Sequence, residues 1–469
     1  MNLHAGNDLR AFFEPGAIAV IGSLNEWGGL GYTAVRNMLR FNYGGRIYPI
    51  NPSYKEALGL RAYPEIAAVD DQIDLAIVIT PKQTVPGIID QCARKGVKAA
   101  IIVSDGFAET GEDGARLQRQ IVEIGHRTGL RIIGPNTIGI LNTENGLVTN
   151  PYSISYDKVY KGNIAYCSQS GIVGAQGQPL KDQAYPISKM CDLGNKCDVD
   201  EVDLLNYLYQ DPQTSVIAMH IEDVRDGHKF IETVRRVAAR KPVLLLKPGR
   251  TERGAKAAAS HTGSLTGSER VYDAAFRQAG AIRLDTWREF WEIPRIFVNQ
   301  PLPQGNRIAI ITFTGGVGVA SVDTAEEYGL AIADFSPVTV SRLSRLSPQL
   351  ARNPVDLGPI IPVTENPLPV LEETIAAVLD DSNVDCVTAT LYSSSDAETP
   401  VYMDILDRVM KNVTKPVSIW IYGTELAAME ELSRQVQGRG FPAYFDIELA
   451  IKALATAARY SRVKSSFDQ

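Results

Sequence analysis

Cysteine is scarce in this sequence, and its spacing fits neither a disulfide framework nor a zinc or redox motif. The 469 residues contain five cysteines, an odd number at scattered positions, and no Cys-x-x-Cys pair occurs among them. Both observations argue against structural disulfides, thiolate metal sites and dithiol chemistry. We therefore expect no metal site and five buried thiols, which are Cys92, Cys167, Cys191, Cys197 and Cys386.

An excess of positive charge and long apolar runs are also missing. Lysine and arginine number 47 against 54 acidic residues, and the net charge of −7 argues against a nucleic-acid partner. The longest apolar runs, such as residues 243–246, have the length of buried strands, whereas a membrane helix needs about 20 apolar residues. The first residues lack the basic start and apolar core of a signal peptide. We expect no membrane interaction and a cytoplasmic location.

What the sequence does contain is a regular alternation of short Val- and Ile-rich runs with amphipathic segments of helical length. This alternation predicts βαβ units around parallel sheets, and the chain is long enough for about three domains of roughly 150 residues. We predict an α/β protein with a Rossmann-like domain at residues 1–150 and a flavodoxin-like doubly wound domain at 151–299. A proline-bearing linker, QPLPQG, then leads into a second flavodoxin-like domain at 305–469.

A glycine-rich segment, VIGSLNEWGGLGY at residues 20–32, follows the first predicted strand. Glycines at this place let the backbone approach a ligand and present N–H groups to phosphate, although they also serve simple turn geometry. The spacing is not G-x-G-x-x-G, and the second strand ends in YPINP with no acidic residue to bind a ribose hydroxyl. A nucleotide other than a nicotinamide dinucleotide is therefore predicted.

Four further segments are more specific. They are IGPNTIGIL (133–141), CSQSGIVG (167–174), LGNKCDVDEVDLL (193–205) and KPGRTERGAKAAASHTGSLTGS (247–268). Together they resemble the NDP-forming acyl-CoA synthetase family, which includes ADP-forming acetyl-CoA synthetase and succinyl-CoA synthetase. The resemblance implies a reversible reaction, acyl-CoA + Pi + ADP = carboxylic acid + CoA + ATP, that passes through an acyl phosphate and a phosphohistidine. The acyl group and the choice between ADP and GDP stay open.

His261 is the candidate phosphoryl carrier. Its neighbours are mostly Gly, Ala and Ser, which predicts a loop after the strand at 243–247, and Thr266 and Glu269 form a T-x-x-E capping box at the next helix. A neutral imidazole can accept and return a phosphoryl group, whereas an arbitrary loop histidine more often makes only a surface hydrogen bond. The basic residues before it suit a nearby phosphate; these are Lys247, Arg250, Arg253 and Lys256. No role is assigned to His4, His126, His220 or His228.

The resemblance also implies the groups that surround the phosphohistidine. Glu222 stands where the family has the carboxylate that orients the histidine, and its neighbour Asp223 is interpreted as a solvated or capping residue. The SQSG turn is predicted to begin a helix whose N–H groups bind phosphate, and a second such helix is predicted after Thr314. The phosphate-binding candidates are Ser168, Gln169, Ser170, Gly171, Ile172, Gly315 and Gly316.

CoA is the ligand that the resemblance assigns to the first domain. The contacts carried over from the family fall at or just after the ends of predicted strands. They are Gly22, Ser23, Asn51, Pro52, Thr80, Pro81, Ser104, Phe107 and Asn136.

The resemblance implies a partner as well. An ATP-grasp module, which binds the Mg-nucleotide in this family, needs about 200 further residues, and no unassigned stretch of that size is present. We expect a separate ATP-grasp β subunit in an assembly of two α and two β subunits (α₂β₂). Two other interpretations stay open: a non-catalytic CoA-binding regulatory or structural subunit, and, ranked last, an NAD-dependent oxidoreductase.

Overall fold

The computed structural model describes residues 9–155, 161–174, 185–262, 269–360, 363–365, 367–393, 399–409 and 413–467. The chain forms two compact units, the first ending at Thr286 and the second beginning at Trp287. Both are built from largely parallel sheets and helices, so the predicted α/β class is confirmed. Over the described ranges, no helix combines the length and the apolar character that crossing a membrane requires.

The first sheet has five parallel strands in the order β2-β1-β5-β6-β7. All six residues of the first strand, AIAVIG, are buried, as expected of a strand covered on both faces. The order reverses between β1 and β5, which is where ligands bind in open α/β sheets. The strands are β1 (Ala17–Gly22), β2 (Arg46–Ile50), β5 (Leu75–Ile79), β6 (Ala99–Ile102) and β7 (Arg131–Ile133), with a separate hairpin of β3 (Glu56–Ala57) and β4 (Leu60–Arg61). The helices are α1 (Arg10–Phe13), α2 (Leu30–Arg40), α3 (Val85–Lys95) and α4 (Glu112–Thr128).

The second sheet, in the same unit, has the order β14-β13-β12-β10-β11-β8-β9. Its strands β10 to β14 are parallel, while β8 pairs antiparallel with both β11 and β9. The strands are β8 (Ile140–Asn142), β9 (Leu147–Val148), β10 (Lys161–Ser168), β11 (Ile187–Asp192), β12 (Val216–His220), β13 (Val243–Leu246) and β14 (Ile282–Leu284). The helices are α5 (Glu201–Gln210), α6 (Gly227–Ala238), α7 (Glu252–Thr262) and α8 (Glu269–Ala279). The boundary at residue 150 stays a prediction, and β8 and β9, which precede it, belong to the second sheet.

The second unit is built on a sheet of parallel strands in the order β16-β15-β18-β19-β20, with β17 paired to β15. Its core packs apolar residues of β15, β18 and β19 against α11 to α14. The strands are β15 (Arg307–Thr312), β16 (Ala331–Ile332), β17 (Val355–Asp356), β18 (Cys386–Ser393), β19 (Val417–Gly423) and β20 (Ala443–Tyr444). The helices are α9 (Trp287–Glu292), α10 (Gly315–Glu327), α11 (Pro337–Leu346), α12 (Leu368–Asp380), α13 (Thr399–Val409), α14 (Leu426–Gly438) and α15 (Ile447–Phe467). Short 3₁₀ helices occur at Ile66–Ala68, Lys82–Thr84, Ala108–Thr110, Ile293–Phe297 and Pro348–Leu350.

The five cysteines are free and buried, as predicted. Burial raises the pKa of the Cys92 thiol to about 12, so this thiol stays protonated at neutral pH. The cysteines therefore behave as small apolar core residues.

Candidate functional site

The carboxyl ends of the parallel strands in the second sheet bring together residues from distant parts of the sequence. Cys167 on β10 is paired with Met219 on β12, so the next residues, Ser168 and His220, are also neighbours. Ser168 Oγ lies 2.9 Å from His220 Nδ1, and the backbone N–H of Ser170 donates to the same Oγ at 2.8 Å. Ser168 and His220 are only 0% and 2% exposed. The SQSG turn is thus held from beneath by a histidine to which sequence analysis gave no role.

Gln169 ties the SQSG turn to the loop after β12. Its Oε1 accepts the backbone N–H groups of Glu222 at 2.6 Å and Asp223 at 3.2 Å, and its Nε2 donates to Asp223 Oδ1 at 2.7 Å. Residues 171–172 form a turn, and Ile172 is 48% exposed at its surface. The helix predicted at about 171–184 does not begin in residues 171–174, and residues 175–184 lie outside the described residues. The two segments predicted to form the phosphoryl site, SQSG and the Glu222 loop, are therefore directly hydrogen-bonded to each other.

Lys196 connects the loop after β11 to the loop after β12. Its buried ammonium lies 2.7 Å from Asp223 Oδ1 and 3.0 Å from Glu201 Oε2, and it also donates to the Asp223 carbonyl at 3.0 Å. Burial opposes ionisation of Asp223, but Lys196, together with the Gln169 hydrogen bond and the charge of Arg225, outweighs it and holds the pKa of Asp223 below its usual value. Asp223 is thus an ion-paired part of the site, and its interpretation as a solvated or capping residue was wrong.

Asp192, at the end of β11, is a buried carboxyl that sequence analysis did not select. Its oxygens accept the backbone N–H groups of Ile138 at 2.9 Å and Gly194 at 3.1 Å. Burial and, to a smaller extent, the nearby charge of Glu222 outweigh these hydrogen bonds and raise its pKa to about 6. A Cβ placed on Gly171 would lie 3.8 Å from Asp192 Oδ2, so this carboxyl borders the SQSG turn.

The IGPN and LGNK segments pack against each other and join the edges of the two sheets in the first unit. The backbone N–H of Asn195 donates to the Pro135 carbonyl at 2.9 Å, and that of Cys197 donates to the Gly134 carbonyl at 3.0 Å. These bonds link the loop after the carboxyl end of β7 to the loop after the carboxyl end of β11. The predicted CoA loops and the SQSG turn therefore lie along one continuous edge.

The residues proposed to contact CoA follow the carboxyl ends of the strands of the first sheet. The Asn51 side-chain amide donates to the Gly22 carbonyl at 2.8 Å, which links the loops after β1 and β2. The Ser104 hydroxyl donates to the Thr80 carbonyl, and the Asn136 N–H donates to the Ser104 carbonyl at 2.9 Å. The loops after β5, β6 and β7 are linked in this way. The structure thus gathers the whole set at one edge: Gly22, Ser23, Asn51, Pro52, Thr80, Pro81, Ser104, Phe107 and Asn136.

Phe107 differs from most of this set. Its side chain is fully buried and belongs to the core of the first sheet, whereas the others except Gly22 are at least partly exposed. Its backbone N–H donates to Glu109 Oε1 at 3.1 Å. Its side chain therefore supports the loop from below and does not face the edge where a ligand would lie.

His261 lies in helix α7, not in the predicted loop. The helix covers Glu252–Thr262 and contains the alanine-rich stretch around Lys256, and alanine has the highest helix propensity of all residues. Residues 263–268, including Thr266 of the predicted capping box, lie outside the described residues, and α8 begins at Glu269. The loop prediction for His261 was therefore wrong, while its phosphoryl role stays a prediction.

Of the four basic residues before His261, Arg250 and Lys256 have carboxylate partners, Lys247 is buried and Arg253 is exposed. Arg250 pairs with Asp285 and, at 3.3 Å, with Glu269, and Lys256 pairs with Glu252 at 2.8 Å. Lys247 is 3% exposed, donates to the Pro248 carbonyl at 3.0 Å and lies over the ring of Tyr272, 4.9 Å from its centroid. Burial lowers the pKa of Lys247. The positive charges expected at Arg250 and Lys256 are therefore balanced by carboxylates.

Helix α10 of the second unit begins at Gly315, as the sequence predicted for the second glycine-marked helix. Thr314 is its N-cap residue, and the exposed Gly315 and Gly316 form its first turn. A Cβ on Gly315 would lie 3.1 Å from Asp356 Oδ2 at the end of β17. The helix start therefore lies at the carboxyl edge of its own sheet.

Sequence reasoning missed three buried polar residues of the first unit, Asp192, Lys196 and His220. Each lies near the carboxyl end of a predicted strand, and Lys196 lies inside the LGNK segment. Their location at strand ends was the signal in the sequence that could have identified them. Which partner each would meet depends on the strand order. In the part of the chain that the structure describes, no cluster of three or more His, Cys, Asp or Glu side chains could hold a metal ion.

Two protein families match the two halves of the first unit. Residues 16–143 match the family described as CoA binding domain, and residues 161–297 match the succinyl-CoA ligase like flavodoxin domain. The matched ranges correspond to the first sheet and to most of the second. They confirm the resemblance and the order of domains predicted for this part of the chain.

Full-length relatives extend the comparison to the whole chain. The α subunit of acetate–CoA ligase [ADP-forming] II from Pyrococcus furiosus is 38% identical, with 96% of this chain and 98% of the relative covered. Acetate–CoA ligase [ADP-forming] II from Archaeoglobus fulgidus is 35% identical over 97% of this chain, which spans 67% of that relative's length. The structure of dinucleotide forming acetyl-coenzyme A synthetase 1 from Ca. Korarchaeum cryptofilum, in complex with phosphate and ADP, superposes with a TM-score of 0.89, 32% identity and 98% coverage of both chains. This chain therefore belongs to the family of ADP-forming acetate–CoA ligases and matches their α subunits over nearly its whole length.

Proposed function

We propose that this chain is the α subunit of a reversible ADP-forming acyl-CoA synthetase, with His261 as the phosphoryl carrier. The observation that carries the proposal is the packing of the loop at 134–139 against the loop at 192–197. This packing supports the proposal because it connects a loop predicted to bind CoA with a loop next to the SQSG turn, where the thioester of a bound CoA would meet a bound phosphate. The family membership of the chain supports the same reaction.

The first step joins phosphate to the acyl group. A phosphate oxygen attacks the thioester carbonyl carbon, the carbon–sulfur bond breaks, and CoA leaves with a proton while the acyl phosphate forms. Gln169 and the hydrogen bond from Ser170 to Ser168 fix the shape of the SQSG turn. Ser170, Gly171 and Ile172 lie on the accessible side of that turn, and we assign direct phosphate contact to them.

The second step transfers the phosphoryl group to His261. A ring nitrogen attacks phosphorus, the bond from phosphorus to the acyl oxygen breaks, and the carboxylate product leaves. Glu222, whose backbone is fixed by Gln169, is proposed to orient the other ring nitrogen. In the last step an oxygen of ADP attacks the phosphohistidine, which restores His261 and forms ATP.

The nucleotide step is assigned to a partner. We propose a separate ATP-grasp β subunit that binds Mg-ADP, in an α₂β₂ assembly, with Gly315 and Gly316 at the end of the phosphoryl path nearest the nucleotide. The Pyrococcus furiosus relative is itself named a subunit, and the Archaeoglobus fulgidus relative extends well beyond the region that matches this chain. The cytoplasmic location stays part of the proposal.

Phosphoryl labelling tests the proposal. The chain and an ATP-grasp partner are incubated with γ-labelled ATP and Mg²⁺, and acid-labile, base-stable label on the chain is measured. We expect labelling of the wild type, loss of label in His261→Asn and slower labelling in Glu222→Gln. His126→Asn, an exposed histidine on α4, is the matched control and should label like the wild type.

Three results would contradict the proposal. An unlabelled wild-type chain would favour a non-catalytic CoA-binding protein. Undiminished label in His261→Asn would remove that residue as the carrier. An unchanged rate in Glu222→Gln would remove that carboxylate from the site.

A further inference from the structure

His220 is buried directly beneath the SQSG turn. It is the last residue of β12, it is 2% exposed, and its Nδ1 lies 2.9 Å from Ser168 Oγ. The contact follows from the parallel register of β10 and β12, in which Cys167 and Met219 are the preceding pair. The rigid core of the sheet therefore sets the distance between the two side chains.

The Ser168 hydroxyl contacts both the backbone of the turn and the His220 ring. The backbone N–H of Ser170 donates to Ser168 Oγ at 2.8 Å, so that oxygen already accepts one hydrogen bond. Donation from the Ser168 hydroxyl to His220 Nδ1 satisfies both atoms when the ring is neutral and its proton lies on Nε2. Burial and, to a smaller extent, the charge of Lys247 lower the pKa of His220 to about 3, so the ring stays neutral near pH 7.

A serine–histidine pair at this distance also resembles the nucleophile and base of a hydrolase. The geometry argues against that use, because Ser168 is fully buried and its oxygen already accepts the Ser170 N–H. Gln169 then holds the next part of the turn against the Glu222 loop. The pair is therefore placed to shape the turn and is not placed to attack a substrate.

We propose that His220 is a positioning residue of the phosphate site: its Nδ1 accepts a hydrogen bond from the Ser168 hydroxyl and so keeps a lone pair of Ser168 Oγ directed at the Ser170 N–H. This contact closes the SQSG turn and fixes the positions of Gly171 and Ile172, which are proposed to bind phosphate. The inference rests on the proposed function for the identity of the ligand. The Ser168–His220 contact itself is independent of that function.

Substitutions at His220 can separate the role of the ring as a hydrogen-bond acceptor from its role in filling space. Asparagine can place an oxygen near the position of Nδ1, whereas phenylalanine fills the space without an acceptor. With acetyl-CoA and labelled phosphate as probes, we expect His220→Phe to raise the phosphate concentration for half-maximal labelling of the chain roughly tenfold, as for the loss of one buried hydrogen bond. His220→Asn should recover most of that loss, and His228→Asn, an exposed residue on α6, should match the wild type.

A double substitution tests whether His220 acts through Ser168. If it does, adding His220→Phe to Ser168→Ala should raise the half-saturating phosphate concentration no further. Additive effects of the two substitutions would overturn the inference. So would His220→Phe with wild-type phosphate dependence, or His220→Asn as impaired as His220→Phe.

Nitrogen NMR of histidine-labelled protein gives a readout that needs no turnover. The signal that disappears in His220→Asn should report a neutral ring with the proton on Nε2 at pH 7 and at pH 5, and it should shift in Ser168→Ala. A protonated ring at pH 5, or the proton on Nδ1, would overturn the inference even if the wild type takes up phosphate. If the wild type takes up no phosphate while the NMR result holds, the proposed function fails and the contact stands.

Discussion

At the scale of single residues, the carboxyl edge of the second sheet holds two buried groups, His220 and Asp192. Their pKa shifts change the stability of the fold in opposite directions as the pH falls. Burial lowers the pKa of His220 from 6.5 to about 3 and raises that of Asp192 from 3.8 to about 6. Folding therefore excludes a proton from His220 and favours a proton on Asp192. The two contributions can be separated by changing one group while the other stays in place.

The His220→Asn substitution should make the protein less sensitive to mild acid. Below pH 6.5 the unfolded chain protonates this histidine while the folded chain does not, so the stability that the neutral ring contributes is lost as the pH falls toward 3. For the wild type, this histidine should lower the free energy of unfolding by about 2 kcal/mol between pH 7 and pH 5. Denaturant unfolding at several pH values, monitored by circular dichroism, measures the loss.

The comparison between wild type and variant carries this prediction, because Asp192 is present in both proteins. The His220→Asn protein should lack the His220 part of the pH dependence, whereas His126→Asn should keep it. Parallel pH profiles for wild type and His220→Asn would show that the ring is not held neutral.

At the scale of elements, the glycine segment between β1 and α2 is set by close backbone contacts. A Cβ on Gly31 would lie 2.8 Å from the Ser23 carbonyl oxygen, a separation that real Cβ atoms essentially never show. That carbonyl also accepts the Tyr32 N–H at 3.0 Å. The start of α2 is therefore both packed against and hydrogen-bonded to the Ser23 backbone in the loop before it.

The Gly31→Ala substitution should weaken CoA binding. The added methyl group must displace the Ser23 backbone, which lies in the proposed CoA edge, and overpacking of this kind costs about 1–3 kcal/mol. We expect the CoA dissociation constant to rise about tenfold, corresponding to roughly 1.4 kcal/mol. Isothermal titration calorimetry with CoA measures it.

Gly87→Ala is the matched control for this experiment. Gly87 lies inside α3 with no atom within 4 Å of a built Cβ. Alanine there should leave CoA affinity unchanged and stabilise the helix by roughly 0.5–1 kcal/mol. Equal CoA affinity in Gly31→Ala and Gly87→Ala would argue that CoA binds elsewhere.

At the scale of the whole molecule, the division at Thr286 and Trp287 separates two units with their own sheets. The first unit contains residues 16–143, which match the CoA-binding family, and most of residues 161–297, which match the flavodoxin-like family. It also contains the proposed CoA edge, the SQSG turn and His261. The second unit contains Gly315 and Gly316, the phosphate-binding candidates at the start of α10.

A fragment of residues 1–286 should fold and bind CoA. Because the proposed CoA contacts all lie in the first unit, its affinity should stay within about twofold of that of the full chain, as for sites with no shared partners. Calorimetry on the purified fragment, with circular dichroism to check folding, measures this. A folded fragment that has lost CoA binding would show that the second unit supplies essential contacts.

The α/β class, the order of the CoA-binding and flavodoxin-like domains and the family motifs were readable from the sequence. These features depend on residues that are close in the sequence. Local patterns therefore predict them, as for the strand-length hydrophobic runs and the helix start at Gly315. The helix at His261 was also signalled locally, by alanines between 255 and 259, but their small size was interpreted as a sign of a loop.

The partners across the site were decided by tertiary structure. The Ser168–His220 contact, the Lys196–Asp223 ion pair and the joining of the 134–139 and 192–197 loops each connect residues that are far apart in the sequence. Which strands are neighbours, and in what register, is set by the packing of the whole sheet and leaves no local pattern. The sequence by itself therefore determined which segments are candidates for the site, and the strand order decided which side chains of those segments meet.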